Sequence, residues 1–377
     1  MTGSQQSILI DARLNAWPGA QGAARSVLKL TEHMGLGQDV LALRVLVNRS
    51  DPQLFPLAGL SERAELVDTD IGPTAMHRSR ELGRLIRDVG AAVFYAPHPL
   101  FAPAICACPM VVGVHDCASY GSAARARPWH RRFLLRAVTA KTLRLAAAVA
   151  APTKAGLAEL LRHYPAVTRP TLIPNGVEVS QFAGVTGRAV TAARLRYGLP
   201  KPFILTVGSH WPHNDYGVLI RALALMPPTV SLVIVGYSEP YFGDLLRQQI
   251  SDLGMGSRVR LVPTVTDEAL PAVYRAASVF AYPSLEGYGL PVLEAMSAGV
   301  PVVASALPAL KEVCGSAAML VPPHDPTAWA TAITRVLNDP ATASDLVAAG
   351  AAVASTATWD RGGKALRELL SSVTDSS

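Results

Sequence analysis

An α/β fold of two Rossmann-like domains, each a parallel sheet covered by helices, is what the sequence predicts, and three observations carry that expectation. Short β-branched and aliphatic runs alternate with longer helical segments along most of the chain. The 377 residues suffice for two such domains, and a hydrophobic fraction of 50% can fill two cores. Between Ser278 and Ser305, the stretch SVFAYPSLEGYGLPVLEAMSAGVPVVAS reads as a complete β-loop-α-β unit.

In the N-terminal half the strand candidates are Ile8–Ile10, Val40–Val47, Ala92–Tyr95, Met110–Val114, Ala147–Ala151 and Thr171–Ile173. Ligands on parallel sheets sit at the carboxyl ends of strands, so the loops after these runs matter most. After the first strand, DARLNAWPGAQGAARSVLKL places Gly19 and Gly22 before a helix expected to begin near Ala23. A plain βα turn with Arg25 in solvent is one reading of it. The loop APHPLFAPAICACP is proline-rich and irregular, and MVVGV ends in His115-Asp116-Cys117, with an imidazole at a strand terminus. AAVAAPTKAGLAELL reads as strand, Thr153 N-cap and helix, with Lys154 at the helix start. Asn175-Gly176 is a turn, and the lost periodicity of 183–191 suggests a hinge over residues 176–200.

The second half opens with FILTVGSHWPHNDYGVLIRAL, a strand, a loop and a helix. SLVIVG, a helix over 240–253, VRLVPTV and a helix over 267–276 continue the βα alternation up to Ser278. There the run Val279–Tyr282 yields to Pro283 and a glycine-containing loop. Pro291 opens a helix that stops at Gly299, before a strand from Val300 to Ser305. The helix N-terminus, with backbone freed by Gly287 and Gly289, suits a phosphate. Glu294, one turn further in, could take ribose hydroxyls, with Glu286 facing what lies beyond the phosphates. Equally, Glu294 could complement the helix dipole and Glu286 be a solvated loop charge. Trp359 starts a last amphipathic helix, and a polar tail follows Ser371.

Composition narrows the classes. No apolar run reaches the ~18 residues that span a bilayer, and Met1–Ser7 lacks a signal-peptide core, so a cytoplasmic protein is expected. Cys106, Cys108, Cys117 and Cys314 lack zinc-site spacing, so reduced thiols and no metal are expected. A net charge of +6 favours anions, but few aromatics and no nucleic-acid motif argue against nucleic acid. Basic residues concentrate in RARPWHRRFLLRAVTAKTLR, Arg125 to Arg144, beside Trp129, Phe133, Leu134 and Leu135. Peripheral contact with an anionic membrane and an ordinary solvated helix face are its two readings.

The spacing Glu286-x7-Glu294, filled by Gly-Tyr-Gly-Leu-Pro-Val-Leu and followed by Ala-Met-Ser-Ala-Gly-Val-Pro-Val-Val-Ala-Ser, resembles the signature of the family 4 retaining glycosyltransferases. The resemblance implies the GT-B fold, two facing Rossmann-like domains: 1–180 on the acceptor side, 181–355 binding the donor, and 356–377 a helix packing back on the first domain. It implies that Glu294 holds the nucleotide ribose, that Gly287, Tyr288, Gly289 and Leu290 present backbone to the diphosphate, and that Glu286 and His115 are catalytic. Asp11-Ala12-Arg13 and Gly22-Ala-Ala-Arg25-Ser resemble the family's opening loop, with Gly22 toward the donor diphosphate and Arg25 and Asp116 on the acceptor side. VGSHWPHND resembles the family's diphosphate-neutralising element, but Ser209, His213 and Asn214 stand where cations usually do. Protonated His210 or His213, the amides of Ser209 and Gly287, and the helix end at Leu290 are the candidate substitutes.

The activity implied is metal-independent, cofactor-free transfer of a hexosyl group, mannosyl or related, from a nucleotide diphosphate sugar to a saccharide or lipid-linked hydroxyl acceptor. The setting would be polysaccharide or glycolipid assembly. Rivals are a catalytically silent GT-B binding subunit and a nucleotide-sugar epimerase. A nicotinamide dehydrogenase would need a Gly-x-Gly-x-x-Gly turn after a strand, and the sequence has none.

Overall fold

The computed structural model describes residues 7–16, 21–35, 42–48, 60, 63–72, 76–115, 129–238, 240–285 and 287–375. The chain divides into two compact units, 1–175 with 359–377, and 176–358. The first crossing falls at Asn175, five residues before the boundary expected from sequence, and the second falls at Thr358.

The first domain is built on seven strands: β1 Ser7–Asp11, β2 Ala42–Val47, β3 Glu65–Asp68, β4 Ala91–Ala96, β5 Met110–Gly113, β6 Ala148–Ala151 and β7 Pro170–Leu172. They pair in the order β3-β2-β1-β4-β5-β6-β7, and every pairing is parallel. Helices α1 Gln21–Glu32, α2 Ser79–Asp88, α3 Trp129–Leu145 and α4 Lys154–His163 cover the sheet. Helix α1 starts two residues earlier than the glycine pattern suggests, so Gly22 lies within its first turn. The N-cap of α4 is Thr153, whose hydroxyl accepts from Gly156 N at 2.9 Å.

In the second domain, α5 Val179–Ala183 and α6 Gly187–Tyr197 come first. Residues 176–200, expected as a hinge, are therefore mostly helical and belong to this domain. Thr186 caps α6 at its start and left-handed Gly198 at its end. Helix α6 buries Ala193, and Arg194 donates to Pro200 O at 2.8 Å and Ala276 O at 2.6 Å. Caps, one local and one long-range bond from Arg194, and a short apolar stripe of Ala189, Val190, Ala193 and Tyr197 against the core hold this helix.

The second sheet has six parallel strands: β8 Phe203–Val207, β9 Ser231–Val235, β10 Val259–Val262, β11 Val279–Tyr282, β12 Val302–Ser305 and β13 Ala318–Val321, in the order β10-β9-β8-β11-β12-β13. Between them run α7 Tyr216–Ala224, α8 Pro240–Asp252, α9 Leu270–Ala276, α10 Leu290–Ser297 and α11 Pro308–Cys314, with α12 Pro326–Asn338 and α13 Pro340–Thr356 after β13. Alternate strand residues feed two cores. Phe203, Leu205, Val233 and Phe280 meet Val273, Val292 and Leu293, while Ile204, Leu232, Ile234 and Ala281 meet Leu219, Trp329 and Ile333. Burial on both faces is why these strands read as unbroken apolar runs.

Helix α14, Trp359–Thr374, belongs to the first domain, where it buries Leu366, Leu369, Leu370 and Val373. His33 Nδ1 meets Asp360 Oδ1 at 2.8 Å, and Arg169 Nη2 donates to Ser372 Oγ at 2.9 Å.

Both sheets reverse strand order once, between β1 and β4 and between β8 and β11. Such switch points leave a crevice at the strand carboxyl ends because the flanking connections run to opposite sides.

Candidate functional site

In the second domain the loop after β8, residues 208–215, and the loop after β11, which starts at Pro283, emerge at the switch point. They are tied together. Leu285 N donates to His213 O at 2.7 Å, and Ser284 Oγ reaches the same carbonyl at 3.4 Å. Asn214 Nδ2 donates to Ser209 O at 2.7 Å, closing the first loop on itself. Asn214 is buried and its amide is committed within the loop, so it offers the crevice no replacement for a cation.

The second loop runs through Gly287, Tyr288 and Gly289 into α10. Gly287 and Gly289 sit at φ +94° and +86°, and Gly289 is the N-cap of α10, to which no side chain bonds. A Cβ at Gly289 would stand 2.7 Å from Leu310 Cδ2. Pro291 has no N–H, and Val292 N and Leu293 N donate to Gly289 O at 2.9 and 3.4 Å, so in the first turn of α10 it is the Leu290 N–H that these bonds leave for an anion. Glu294 follows on the same helix. It is 7% exposed, and Oε2 accepts from Tyr274 OH at 2.6 Å. Tyr274, on α9, is held by Phe182 and Phe280 at ring-centroid distances of 6.0 and 5.5 Å. The glutamate is thereby fixed against an aromatic core rather than left as a solvated complement to the helix dipole. Tyr274 has no local sequence signal, because it precedes Glu294 by twenty residues.

Two substitutes expected from sequence fare differently. His210 is 4% exposed and lies edge-on to Tyr216, with ring centroids 5.9 Å apart. Burial, and then the charge of Arg247, hold its pKa below the ordinary 6.5. His210 is therefore neutral near pH 7, and the expectation of a protonated His210 facing a diphosphate is corrected. A depressed folded pKa means that the unfolded chain takes up the proton first, so this stability is present above pH 6.5 and is lost as pH falls toward the depressed value. Replacing His210 by glutamine is expected to flatten the fall of the urea-unfolding midpoint below pH 6.5; an unchanged slope would assign the acid sensitivity elsewhere. His213 contributes its carbonyl to the loop tie, and its Nδ1 is buried without a hydrogen-bond partner among the described residues.

Asp215 and His324, both at positive φ (+42° and +62°), join the loops after β8 and β13, with Oδ2 to Nδ1 at 2.7 Å. Burial pushes the Asp215 carboxyl up, against the pull of His324. Neither residue carries a sequence signal for this pairing.

In the first domain Asp11 and Arg13 form a forked, fully buried ion pair at the end of β1. Arg13 Nε donates to Oδ1 at 2.8 Å and Nη2 to Oδ2 at 2.6 Å. The same guanidinium donates to Ile71 O and Phe101 O, each at 3.2 Å, so it joins the loops after β1, β3 and β4 across the switch point. His115 lies just beyond β5 with both ring nitrogens buried. Gly22 is exposed on α1 and Arg25 is half-buried on the same helix. The catalytic candidate Glu286, the acceptor-side candidate Asp116 and Cys117 lie outside the described residues. Cys106 and Cys108 approach to 3.8 Å between sulfurs as free thiols, and Cys314 is free and buried.

Comparison with known proteins extends this picture. Residues 21–181 match the family model Glycosyltransferase Family 4, and residues 201–339 match Glycosyl transferases group 1. A D-inositol 3-phosphate glycosyltransferase of Salinispora arenicola is 35% identical over 233 residues, 56% of this chain and 51% of that protein. An O-antigen chain mannosyltransferase B of Escherichia coli is 36% identical over 163 residues, 42% of each. The chain thus spans about half the length of the curated relatives it matches. The crystallised sucrose-phosphate synthase of Thermosynechococcus elongatus superposes with a TM-score of 0.82 at 22% identity, over 99% of this chain and 100% of that one, which shows the GT-B fold.

Proposed function

We propose, from the premise that the chain belongs to the family 4 (group 1) glycosyltransferases, that it moves a hexosyl group from a nucleotide diphosphate sugar to a hydroxyl acceptor, with retention and without a metal ion. The observation that carries this reading is the tie between the loops after β8 and β11 at the switch point, Leu285 N to His213 O. It supports the reading that the glycine loop leading into α10, with Leu290 N–H and the anchored Glu294, borders the crevice where a nucleotide would lie. Glu294 takes the ribose hydroxyls, and the backbone of Gly287, Tyr288, Gly289 and Leu290 takes the diphosphate. In the first domain His115 orients the sugar, and Glu286 stabilises charge at the anomeric carbon. Since the sequence offers no paired carboxylates suited to double displacement, a front-face route with the leaving phosphate as base fits best. The relatives' names support a mannosyl or related donor and a saccharide or phospho-polyol acceptor, free or lipid-linked. A cytoplasmic enzyme meeting a lipid-linked acceptor would work at a membrane surface.

Replacing Glu294 by glutamine keeps an acceptor for Tyr274 OH but removes the charge. It is expected to weaken nucleotide-sugar binding about tenfold or more, the equivalent of one charge-assisted hydrogen bond. A panel of nucleotide sugars, with thermal stabilisation and nucleotide release as readouts, checks this. If no nucleotide diphosphate stabilises the wild type, or the variant responds equally, the reading fails.

One observation favours a second reading, a binding subunit without turnover. Asn214 is committed to Ser209 O and His210 is neutral, so the loop after β8 meets the leaving diphosphate without a cation at either place. Stabilisation by nucleotide sugars with no nucleotide release in the presence of saccharide acceptors would select it. Interconversion of the sugar without an acceptor would instead select an epimerase.

A further inference from the structure

Helix α3 has an unusual outer face. Trp129 is 79% exposed, Phe133 73% and Leu134 58%, in a protein whose other large aromatics are mostly interior. The helix carries five basic residues, Arg131, Arg132, Arg136, Lys141 and Arg144, and no acid. Its inner side is defined by buried Thr139, Thr142 and Leu143, with Leu135 turned partly inward. At 3.6 residues per turn, Phe133, Ala137, Ala140 and Arg144 therefore follow one another along the outward side. Arg136 and Lys141, about 60° and 80° to either side of Phe133, flank that strip, Arg144 continues it toward the C-terminal end, and Arg131, two residues from Phe133, falls on the far side. Residues 125–128, the start of the basic segment, lie outside the described residues.

We propose that this face of α3 docks on an anionic phospholipid surface. The proposal does not rest on glycosyl transfer: it would hold for either reading of the site. Trp129, Phe133 and Leu134 enter the interfacial zone, where an indole or phenyl ring leaves water without needing a protein partner. Arg136 and Lys141 on the flanks lie level with lipid phosphates, and their aliphatic stems stay along the apolar strip. Charge complementarity decides the occupant. A protein partner for an apolar patch flanked by Arg136 and Lys141 would need a matching acidic surface around an apolar centre, whereas an anionic bilayer presents both layers everywhere.

Sedimentation of the full chain with large unilamellar vesicles tests this. Vesicles of phosphatidylcholine with about 30 mol% phosphatidylglycerol should bind the wild type at least tenfold more strongly than phosphatidylcholine alone, and the difference should shrink with added salt. Trp129→Ser with Phe133→Ser should abolish binding, and Arg136→Gln with Lys141→Gln should weaken it by roughly fivefold per charge. Both pairs are surface substitutions and should leave the thermal midpoint unchanged, so the charge pair still decides if the aromatic pair folds poorly. Equal binding to both vesicle types, no sedimentation of the wild type, or indifference of both variants would overturn the proposal. So would an aromatic pair that alters the monomer–dimer balance by light scattering while vesicle binding stays intact.

Discussion

Replacing Arg13 by alanine is expected to cost the first domain about 3–5 kcal/mol, because it strands the buried Asp11 carboxylate and frees carbonyls of two other loops at once. The surface around the pair gives the reason. Asp11 and Arg13 are each 1% exposed, so water cannot replace the lost guanidinium. Ile71 O and Phe101 O lose their donors in the same step. For a domain of this size the change corresponds to roughly a 10 °C fall in the midpoint of its transition. Calorimetry of the single variant, compared with the double replacement Asp11→Leu, Arg13→Met, checks the cause. If the buried charge is the origin, the double variant recovers most of the loss, since swapping a buried pair for apolar residues of similar volume is often near neutral. A single variant as stable as the wild type would show that the fork is not what joins the three loops.

A second large effect is expected at Gly236, which follows β9. Its φ is +146°, and a Cβ built there would lie 2.5 Å from the Gly208 carbonyl carbon and nearer still to its oxygen. The obstacle is backbone, so no rotamer change relieves it. Gly236→Ala must push the 208–215 loop away from β9 or abandon the β9 end, breaking Gly208 N to Val235 O or His210 N to Tyr237 O, at 2.8 and 2.9 Å. Backbone strain in this glycine-favoured region alone costs about 1–3 kcal/mol, and the overlap adds to it. The functional consequence should exceed the thermodynamic one. The displaced loop carries His213, whose carbonyl ties down the α10 loop, and a misplacement of about 1 Å can reduce a rate roughly a hundredfold. Hydrogen exchange should accelerate at residues 208–215 and 283–290 together in the variant. Acceleration confined to β9 would mean that the two loops are not coupled.

What could be read in advance, and what could not, divides by sequence distance. The unit from β11 to β12 was legible because its strand, glycines, helix and Glu294 lie within one contiguous stretch whose local preferences agree. β3 was missed. Glu-Leu-Val-Asp is a four-residue edge strand, exposed at both ends, and shows neither an apolar run nor clear alternation. Residues 176–200 read as a hinge because the apolar stripe of α6, Ala189, Val190, Ala193 and Tyr197, is short and made partly of small residues, and its caps and its bonds to Pro200 and Ala276 are invisible to periodicity. At the site, the candidates Ser209, His213, Asn214 and Glu294 were named from their order along the chain. Their states were not, since the neutrality of His210, the commitment of Asn214 and the anchoring of Glu294 by Tyr274 all depend on what folds over them. The guanidinium of Arg13 reaches partners 58 and 88 residues away, a separation at which no pattern in one sequence speaks.

The return of α14 to the first domain has a consequence for synthesis on the ribosome. Residues 1–175 emerge before their final helix exists, and the apolar bed of Leu366, Leu369, Leu370 and Val373 stays open while 176–358 are translated. The second domain, continuous in sequence, can complete its core first, whereas the N-terminal domain waits for α14, which is made after it. A nascent chain stalled before Trp359 would therefore present a finished second domain and an unsealed first one, which is the state a chaperone would meet.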